Sequence, residues 1–102
     1  MNSTFSRATG STQKNKGTFQ FLLEACKNGV EQDVKQYFRT RYLNQTDENG
    51  QTLLHIASKH GHLNIIRRYS RADANFKDKK GYSALHLATV YDRKAVVNYL
   101  VE

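Results

Sequence analysis

The stretch Gly50–His62, "GQTLLHIASKHGH", has a second copy at Gly81–Arg93, "GYSALHLATVYDR". Sliding the chain on itself until Gly50 meets Gly81 aligns the two copies, with the same residue or residue class at most key positions. A slide one position longer brings an earlier segment onto the same pattern. Internal repetition at the spacing between Gly50 and Gly81 indicates a repeat protein, in which one structural unit occurs about three times. The aligned pairs are Gly50 and Gly81, Thr52 and Ser83, Leu54 and Leu85, His55 and His86, and Ala57 and Ala88.

Each copy has the pattern of a short helix that is capped at its start. Thr52 and Ser83 stand just before an apolar helical stretch, where a hydroxyl accepts from a backbone N–H of the first turn. Gly50 and Gly81 precede them, at turns that favour a positive φ. A single unit cannot bury its apolar face alone, so stacked units are expected to share one core. The predicted buried stripes are Leu54, Ile56, Ile65 and Ile66 in one copy, and Leu85, Leu87, Val96 and Val97 in the other.

The segment before these copies predicts a helix hairpin of its own. "FQFLLEACKNG" places apolar residues at helical spacing and ends at Gly29, and "VEQDVKQYF" follows as a second helix. Two short helices joined by a tight turn form a hairpin. The predicted apolar faces are Phe19, Leu22, Leu23 and Cys26 on the first helix, and Val30, Val34, Tyr37 and Phe38 on the second.

The two later copies resemble the ankyrin repeat, whose pattern is D-x-x-G-x-T-P-L-H-x-A and whose period is about 33 residues. The resemblance covers roughly residues 19–102. It implies an all-α repeat fold, an α-solenoid of stacked antiparallel helix hairpins joined by β-hairpin-like loops. The domain is then 18–102, with units of approximately 18–46, 47–77 and 78–102. The matching residues are Asp47, Gly50, Thr52, Leu54, His55 and Ala57, then Asp78, Gly81, Ser83, Leu85, His86 and Ala88.

The chain departs from the family pattern at several positions. Leu53 and Ala84 replace the proline at the helix start, a change expected to cost little. The second unit is two residues short, so its second helix is predicted to be short. Arg68 takes a position that is usually apolar, and either snorkels or lies on a face that is not fully covered. Asp92 replaces the glycine between the helices, and Asp tolerates the left-handed conformation better than most residues.

Composition places several limits on the class of protein. The chain has 102 residues and a net charge of +7, and it lacks an apolar run long enough to cross a bilayer. The N-terminus shows no secretory signal, and the single cysteine, Cys26, fits a reducing compartment. We therefore expect an intracellular protein, in the cytoplasm, the nucleus or both. Residues 1–17 are Ser/Thr-rich and basic, and read as a flexible tail, with a transit peptide as the alternative.

Three histidines lie close together in the sequence at His55, His60 and His62, which raises the question of a metal site. Only His55 recurs, as His86, and a zinc site would need ligands kept together with a further partner. We therefore predict no metal and no cofactor. The resemblance implies that His55 and His86 are buried structural histidines that bond the neighbouring hairpin, and that Gly61 ends the first helix. His60 and His62 are predicted to be exposed.

The repeat offers a surface rather than a catalytic set. There is no Gly-rich phosphate loop, Cys–His pair or matched pair of carboxylates, so an enzyme is not predicted. The resemblance implies a scaffold or adaptor that binds another protein through its hairpin tips and first-helix concave face. Tyr82 and Tyr91 are the expected anchors, since tyrosine is common at hot spots. The full candidate set is Glu48, Asn49, Gln51, Lys59, His60, Lys79, Lys80, Tyr82, Val90 and Tyr91.

Two other functions are carried as alternatives. The basic residues could bind nucleic acid or an anionic membrane, although a basic rim that attracts an acidic protein is favoured. The segment could also be the targeting module of a larger enzyme, channel or secreted effector. The last helix, "AVVNYLVE", leaves an apolar face without a polar cap, which suggests further repeats or self-association.

Overall fold

The computed structural model describes residues 18–69 and 74–101, and these form three helix pairs. The first pair is α1 (Phe19–Asn28) and α2 (Glu31–Tyr37), followed by a 3-10 turn at Thr40–Tyr42. The predicted tail at 1–17 lies outside the described residues. No β-strand occurs within the described ranges, which fits the predicted all-α repeat. The second pair is α3 (Leu53–His60) and α4 (Leu63–Ile66), which runs into a 3-10 turn at Arg67–Tyr69, and the third is α5 (Ala84–Val90) and α6 (Lys94–Val101).

The first helix of every pair begins at a hydroxyl cap, as the repeat pattern predicts. Thr18, Thr52 and Ser83 each accept a hydrogen bond from the backbone N–H three residues later, at 3.1, 3.3 and 3.2 Å. Each such cap is worth about 1 kcal/mol. The predicted N-caps Thr52 and Ser83 are thereby confirmed.

The turn between the helices of each pair uses a left-handed residue. Gly61 ends α3 at φ 76°, and Asp92 follows α5 at φ 57°. The expected left-handed Asp92 is therefore confirmed. The short second helix of the second unit is confirmed too, because α4 has four residues before it tightens into a 3-10 turn.

Two hairpin loops join the pairs and stack on each other. We number each hairpin by the unit that it begins. In the second hairpin the N–H of Asp47 donates to the carbonyl of Gln51 at 3.0 Å, and in the third hairpin the N–H of Asp78 donates to the carbonyl of Tyr82 at 2.9 Å. The N–H of Lys79 also donates to the carbonyl of Asn49 at 3.1 Å, which couples one hairpin to the next. The turn glycines have the predicted positive φ, 75° at Gly50 and 86° at Gly81.

The helices lie in two layers around a shared core. The first helices stack as α1 on α3 on α5, and the second helices stack beside them as α2, α4 and α6. Most of the predicted stripe is buried, but Ile56, Leu85 and Val97 are only partly covered. Val30 is 39% exposed because α2 begins after it, so its assignment to the apolar face was wrong. The largest fully buried apolar side chains are Leu22, Val34, Leu53, Ile65, Ile66 and Val96.

Candidate partner-binding surface

His55 ties the second unit to the third. Its Nε2–H donates to the carbonyl of Tyr82 at 2.9 Å, because a carbonyl can only accept. Its Nδ1 then accepts from the backbone N–H of Thr52 at 3.1 Å and lies 2.9 Å from the Thr52 hydroxyl. The side chain is 1% exposed and its ring meets the edge of Phe76. The prediction of a buried structural histidine is confirmed at this position.

The same prediction is wrong at His86. His86 is exposed, and its ring stacks on Tyr82 with centroids 4.1 Å apart. The described part of the chain offers this ring no hairpin carbonyl, because no unit stacks beyond α5 and α6 there. The side chain recurs with the repeat, but the contact that buries it needs a following unit.

A second contact between units was not predicted. The Nε2–H of His62 donates to the carbonyl of Lys27 at 3.0 Å, and the Nε–H of Arg93 donates to the carbonyl of Lys59 at 3.0 Å. We call each of these contacts an inter-repeat clasp. The two donors occupy aligned positions of successive units, so the repeat alignment carried a signal of their shared role.

Glycine makes each clasp possible. A Cβ at Gly29 would lie 2.7 Å from Cε1 of His62, and one at Gly61 would lie 2.9 Å from Cδ of Arg93. The donor side chain therefore crosses directly over the glycine of the preceding unit. His60 and His62 are both partly buried, so the prediction that they are exposed was wrong in degree.

The candidate residues line two adjacent grooves. The first groove, of about 520 Å³, lies between the second hairpin and helices α1 and α3, and includes Glu48 and His60. The second groove, of about 240 Å³, lies between the second and third hairpins and helices α3 and α5. Asn49, Gln51 and Lys59 line both grooves, which makes them one continuous surface. The predicted residues in the second groove are Asn49, Gln51, Lys59, Lys79, Lys80, Tyr82, Val90 and Tyr91, with Asp78 and Leu87 added by the structure.

Apolar and cationic groups alternate in the second groove. Val90 is 59% exposed and Tyr91 is 44% exposed, although both are large apolar or aromatic side chains. The Lys59 ammonium lies over the Tyr91 ring, 5.4 Å from its centroid. Tyr82 is partly buried, so it offers less free surface than Tyr91. Exposed aromatic and aliphatic surface next to lysines suits an apolar anchor flanked by acidic residues.

Asp78 is a structural carboxylate in the wall of the second groove. Burial raises its pKa, but hydrogen bonds from Gln51 and from the backbone N–H groups of Tyr82 and Lys80 outweigh this, so the pKa is lowered. Its Oδ1 accepts from both N–H groups at 2.9 Å, and its Oδ2 accepts from Gln51 at 3.1 Å. Asp78 therefore stays ionised to hold the third hairpin and is not available to a ligand.

The described residues hold no cluster suited to metal binding and no helix long and apolar enough to cross a membrane. No group of three or more His, Cys, Asp or Glu side chains is close enough within 18–69 and 74–101 to hold a metal ion. The same ranges contain no candidate membrane span. Cys26 is buried, and Arg68 reaches the exposed carboxylate of Glu31 at 3.1 Å instead of entering the core.

Known proteins resemble this chain in its repeats. The family model for ankyrin repeats, in three copies, matches residues 15–102. Neurogenic locus notch homolog protein 1 of Xenopus laevis is 38% identical over 60 residues, which cover 57% of this chain and 2% of that protein. The ankyrin repeat-containing protein ITN1 of Arabidopsis thaliana is 29% identical over 85 residues, 78% of this chain and 14% of that protein.

A solved structure shares the fold. It is the complex of the predatory endopeptidase Bd0816 of Bdellovibrio bacteriovorus with the immunity protein Bd3460. One chain of it matches with a TM-score of 0.72 and 30% identity, over 78% of this chain and 44% of that chain. The present chain thus spans less than half the length of each of these relatives.

Proposed function

This chain belongs to the ankyrin-repeat family, and we propose that it is a non-catalytic module that binds a partner protein through its hairpin tips and first-helix face. The family generally serves protein–protein interaction. The solved relative comes from a complex of two proteins, which agrees with such a role. A scaffold or adaptor role follows if the bound partner is brought to a second component.

The second groove carries this proposal. It combines an exposed valine, an exposed tyrosine and three lysines in one concavity between hairpins and helices. Desolvating the aromatic and aliphatic surface supplies affinity, and the lysines supply orientation and a faster encounter. With a net charge of +7, the chain favours a partner that presents an acidic surface.

Nucleic acid is the less supported partner. A continuous phosphate backbone would follow the grooves past Glu24, Asp47 and Glu48, which line the first groove beside its cations. Repulsion from these carboxylates disfavours a polyanion of uniform charge, whereas a short acidic segment can avoid them. An anionic membrane meets the same objection.

The relatives suggest a wider setting for the module. Because the chain covers 2% and 14% of the two curated relatives, a role as the targeting part of a larger enzyme, channel or effector belongs to the proposal. We also propose an intracellular location, since the buried Cys26 thiol fits a reducing compartment. The partly exposed face formed by Val97, Leu100 and Val101 would contact a further repeat or another copy.

A peptide-display selection on the full chain tests the main proposal. We expect enriched peptides that compete with one another, and whose binding weakens about tenfold or more in Tyr91→Ala. The unfolding midpoint of that variant should stay unchanged, because the side chain is 44% exposed. Tyr82→Ala should also weaken binding, and Lys35→Ala, on the exposed side of α2, is the control. Enrichment that fails, or binders that ignore both tyrosines, would refute the proposal.

A further inference from the structure

His60 lies near four other basic side chains, and we call the five together the cationic cluster: Lys27, Lys59, His60, His62 and Arg93. Lys27, Lys59 and His60 line the first groove. Three of them belong to the last turns of α1 and α3, where the negative end of each helix favours cations. The rings of His60 and His62 are stacked with centroids 6.3 Å apart. The cluster therefore draws on all three units and contains two imidazole rings in contact.

The clasps hold two members of the cluster in place. His62 and Arg93 each donate one N–H to a backbone carbonyl, with a donor–acceptor distance of 3.0 Å in both cases. Within 18–69 and 74–101, the guanidinium ends of Arg93 and Nδ1 of His62 have no further hydrogen-bond partner. The backbone contacts fix where these donors lie. The other guanidinium N–H groups of Arg93 stay available to a ligand.

No carboxylate neutralises the cationic cluster inside the described chain. The ion pair that does occur there joins Arg68 to Glu31, on the second helices. Glu24 of α1, and Asp47 and Glu48 of the second hairpin, line the first groove together with His60, but none forms an ion pair with the cluster. The charge of the cluster is thus left for an external anion.

Protonation of His60 is held back by its surroundings. Partial burial lowers the pKa of His60, and the nearby charges of Lys59, His62, Arg93 and Lys27 lower it further. At neutral pH this ring is therefore mostly neutral. A bound anion would compensate those charges and favour the protonated ring, and the coupling is reciprocal.

We infer that the cationic cluster is a carboxylate-binding site for an acidic protein segment, and that protonation of His60 raises the affinity of the site for that segment. The inference rests on the proposed protein-binding function and assigns the chemistry of the partner. The segment would seat an apolar residue in the second groove against Val90 and Tyr91. Its carboxylates would meet the cationic cluster, of which Lys59 lines both grooves.

The expected pH dependence follows from the two kinds of group. Glutamate and aspartate carboxylates stay ionised down to about pH 5, whereas His60 gains its proton below its lowered pKa. Affinity should therefore rise as the pH falls from about 7.5 to about 5.5. One additional charge pair at a partly exposed site gives a gain of about two- to fivefold.

Fluorescence anisotropy on the full chain provides the test. The probe is a short fluorescein-labelled peptide rich in glutamate with interspersed leucines, and the reference is the same peptide with glutamine in place of glutamate. We expect the acidic peptide to bind more tightly at the lower pH, and His60→Gln to lose most of that gain. His86→Gln is the matched control for the gain with pH, because His86 is an exposed histidine outside both grooves and its ring contacts Tyr82 and not the cationic cluster. The ring resonance of His60 should titrate at a higher pH when the peptide is bound.

Each outcome decides the inference. Binding that is independent of pH, or a pH gain that His60→Gln keeps in full, would overturn it while leaving the peptide-display result for the proposed function untouched. Failure of the acidic peptide to bind better than its glutamine counterpart would also overturn it. A single-stranded DNA probe that competes at equal affinity would reassign the cluster to nucleic acid.

Discussion

Replacing His55 by alanine should remove a large part of the stability of this domain. The imidazole spans two units, donating to the Tyr82 carbonyl at 2.9 Å and accepting from the Thr52 N–H at 3.1 Å. Alanine leaves the Thr52 N–H without a partner and removes one of the two hydrogen bonds to the Tyr82 carbonyl, which keeps the Asp78 N–H, in a site where the His55 side chain is 1% exposed. The unsatisfied Thr52 N–H costs about 1–3 kcal/mol, and the lost hydrogen bond to the Tyr82 carbonyl costs about 1 kcal/mol. The lost ring packing adds to this, and we expect a total of about 3–5 kcal/mol.

That loss is large against the stability of a small domain, which is about 5–15 kcal/mol. Urea unfolding followed by far-UV circular dichroism measures it directly. The matched control is His86→Ala, the aligned residue of the next unit, which is exposed and should cost less than about 1 kcal/mol. His60→Ala, on the partly exposed groove, should also cost less than His55→Ala. Equal losses at His55 and His86, or a loss below about 1 kcal/mol at His55, would refute the bridging role.

Two further perturbations test the turn and the third hairpin. Asp92→Gly should raise the free energy of unfolding by about 0.5 kcal/mol, because Asp92 has a φ of 57°, which glycine adopts without strain. Gly61→Ala should lower the free energy of unfolding by about 1–2 kcal/mol, because the alanine Cβ would meet the Arg93 side chain. Urea unfolding measures both, and a loss of stability in Asp92→Gly would contradict the argument. Folding lowers the pKa of Asp78, so its ionised form stabilises the fold at pH values above 3.8, the ordinary pKa of the group. This stabilisation is lost as the pH falls through the lower pKa of the folded state. Asp78→Asn should therefore reduce the loss of unfolding free energy at acid pH, which urea unfolding at a series of pH values measures. Identical pH profiles for the wild type and Asp78→Asn would contradict this role of Asp78.

The repeat pattern predicted the architecture because the same local chemistry occurs in each unit. Thr52 and Ser83 cap their helices through neighbours three residues away, and Asp92 adopts its turn through its own backbone. Such features depend on residues that are close together in the sequence, so the sequence pattern is enough to predict them. The short α4 followed in the same way from a unit that lacks two residues.

Apart from Val30, which precedes α2, the errors involve contacts between units. His86 repeats His55 in sequence, but within the described residues a hairpin stacks beyond His55 and none stacks beyond His86, so the two differ in burial. His62 and Arg93 occupy aligned positions but differ in residue type, and the structure shows that each donates an N–H to a backbone carbonyl across the glycine of the preceding unit. The ten candidate residues came from the family resemblance, and the structure places them along two joined grooves. Their part in binding stays a prediction.

The inter-repeat clasp also sets a rule for building chimeras from such units. The glycine belongs to one unit and the donor to the next, as with Gly61 and Arg93, so exchanging a single unit can separate the two. At the third unit the glycine position holds Asp92, which carries a Cβ at φ 57°. A unit grafted after it could not pass a long side chain over the turn in the same way. A short cationic side chain that pairs with the Asp92 carboxylate would be the natural junction for such a graft.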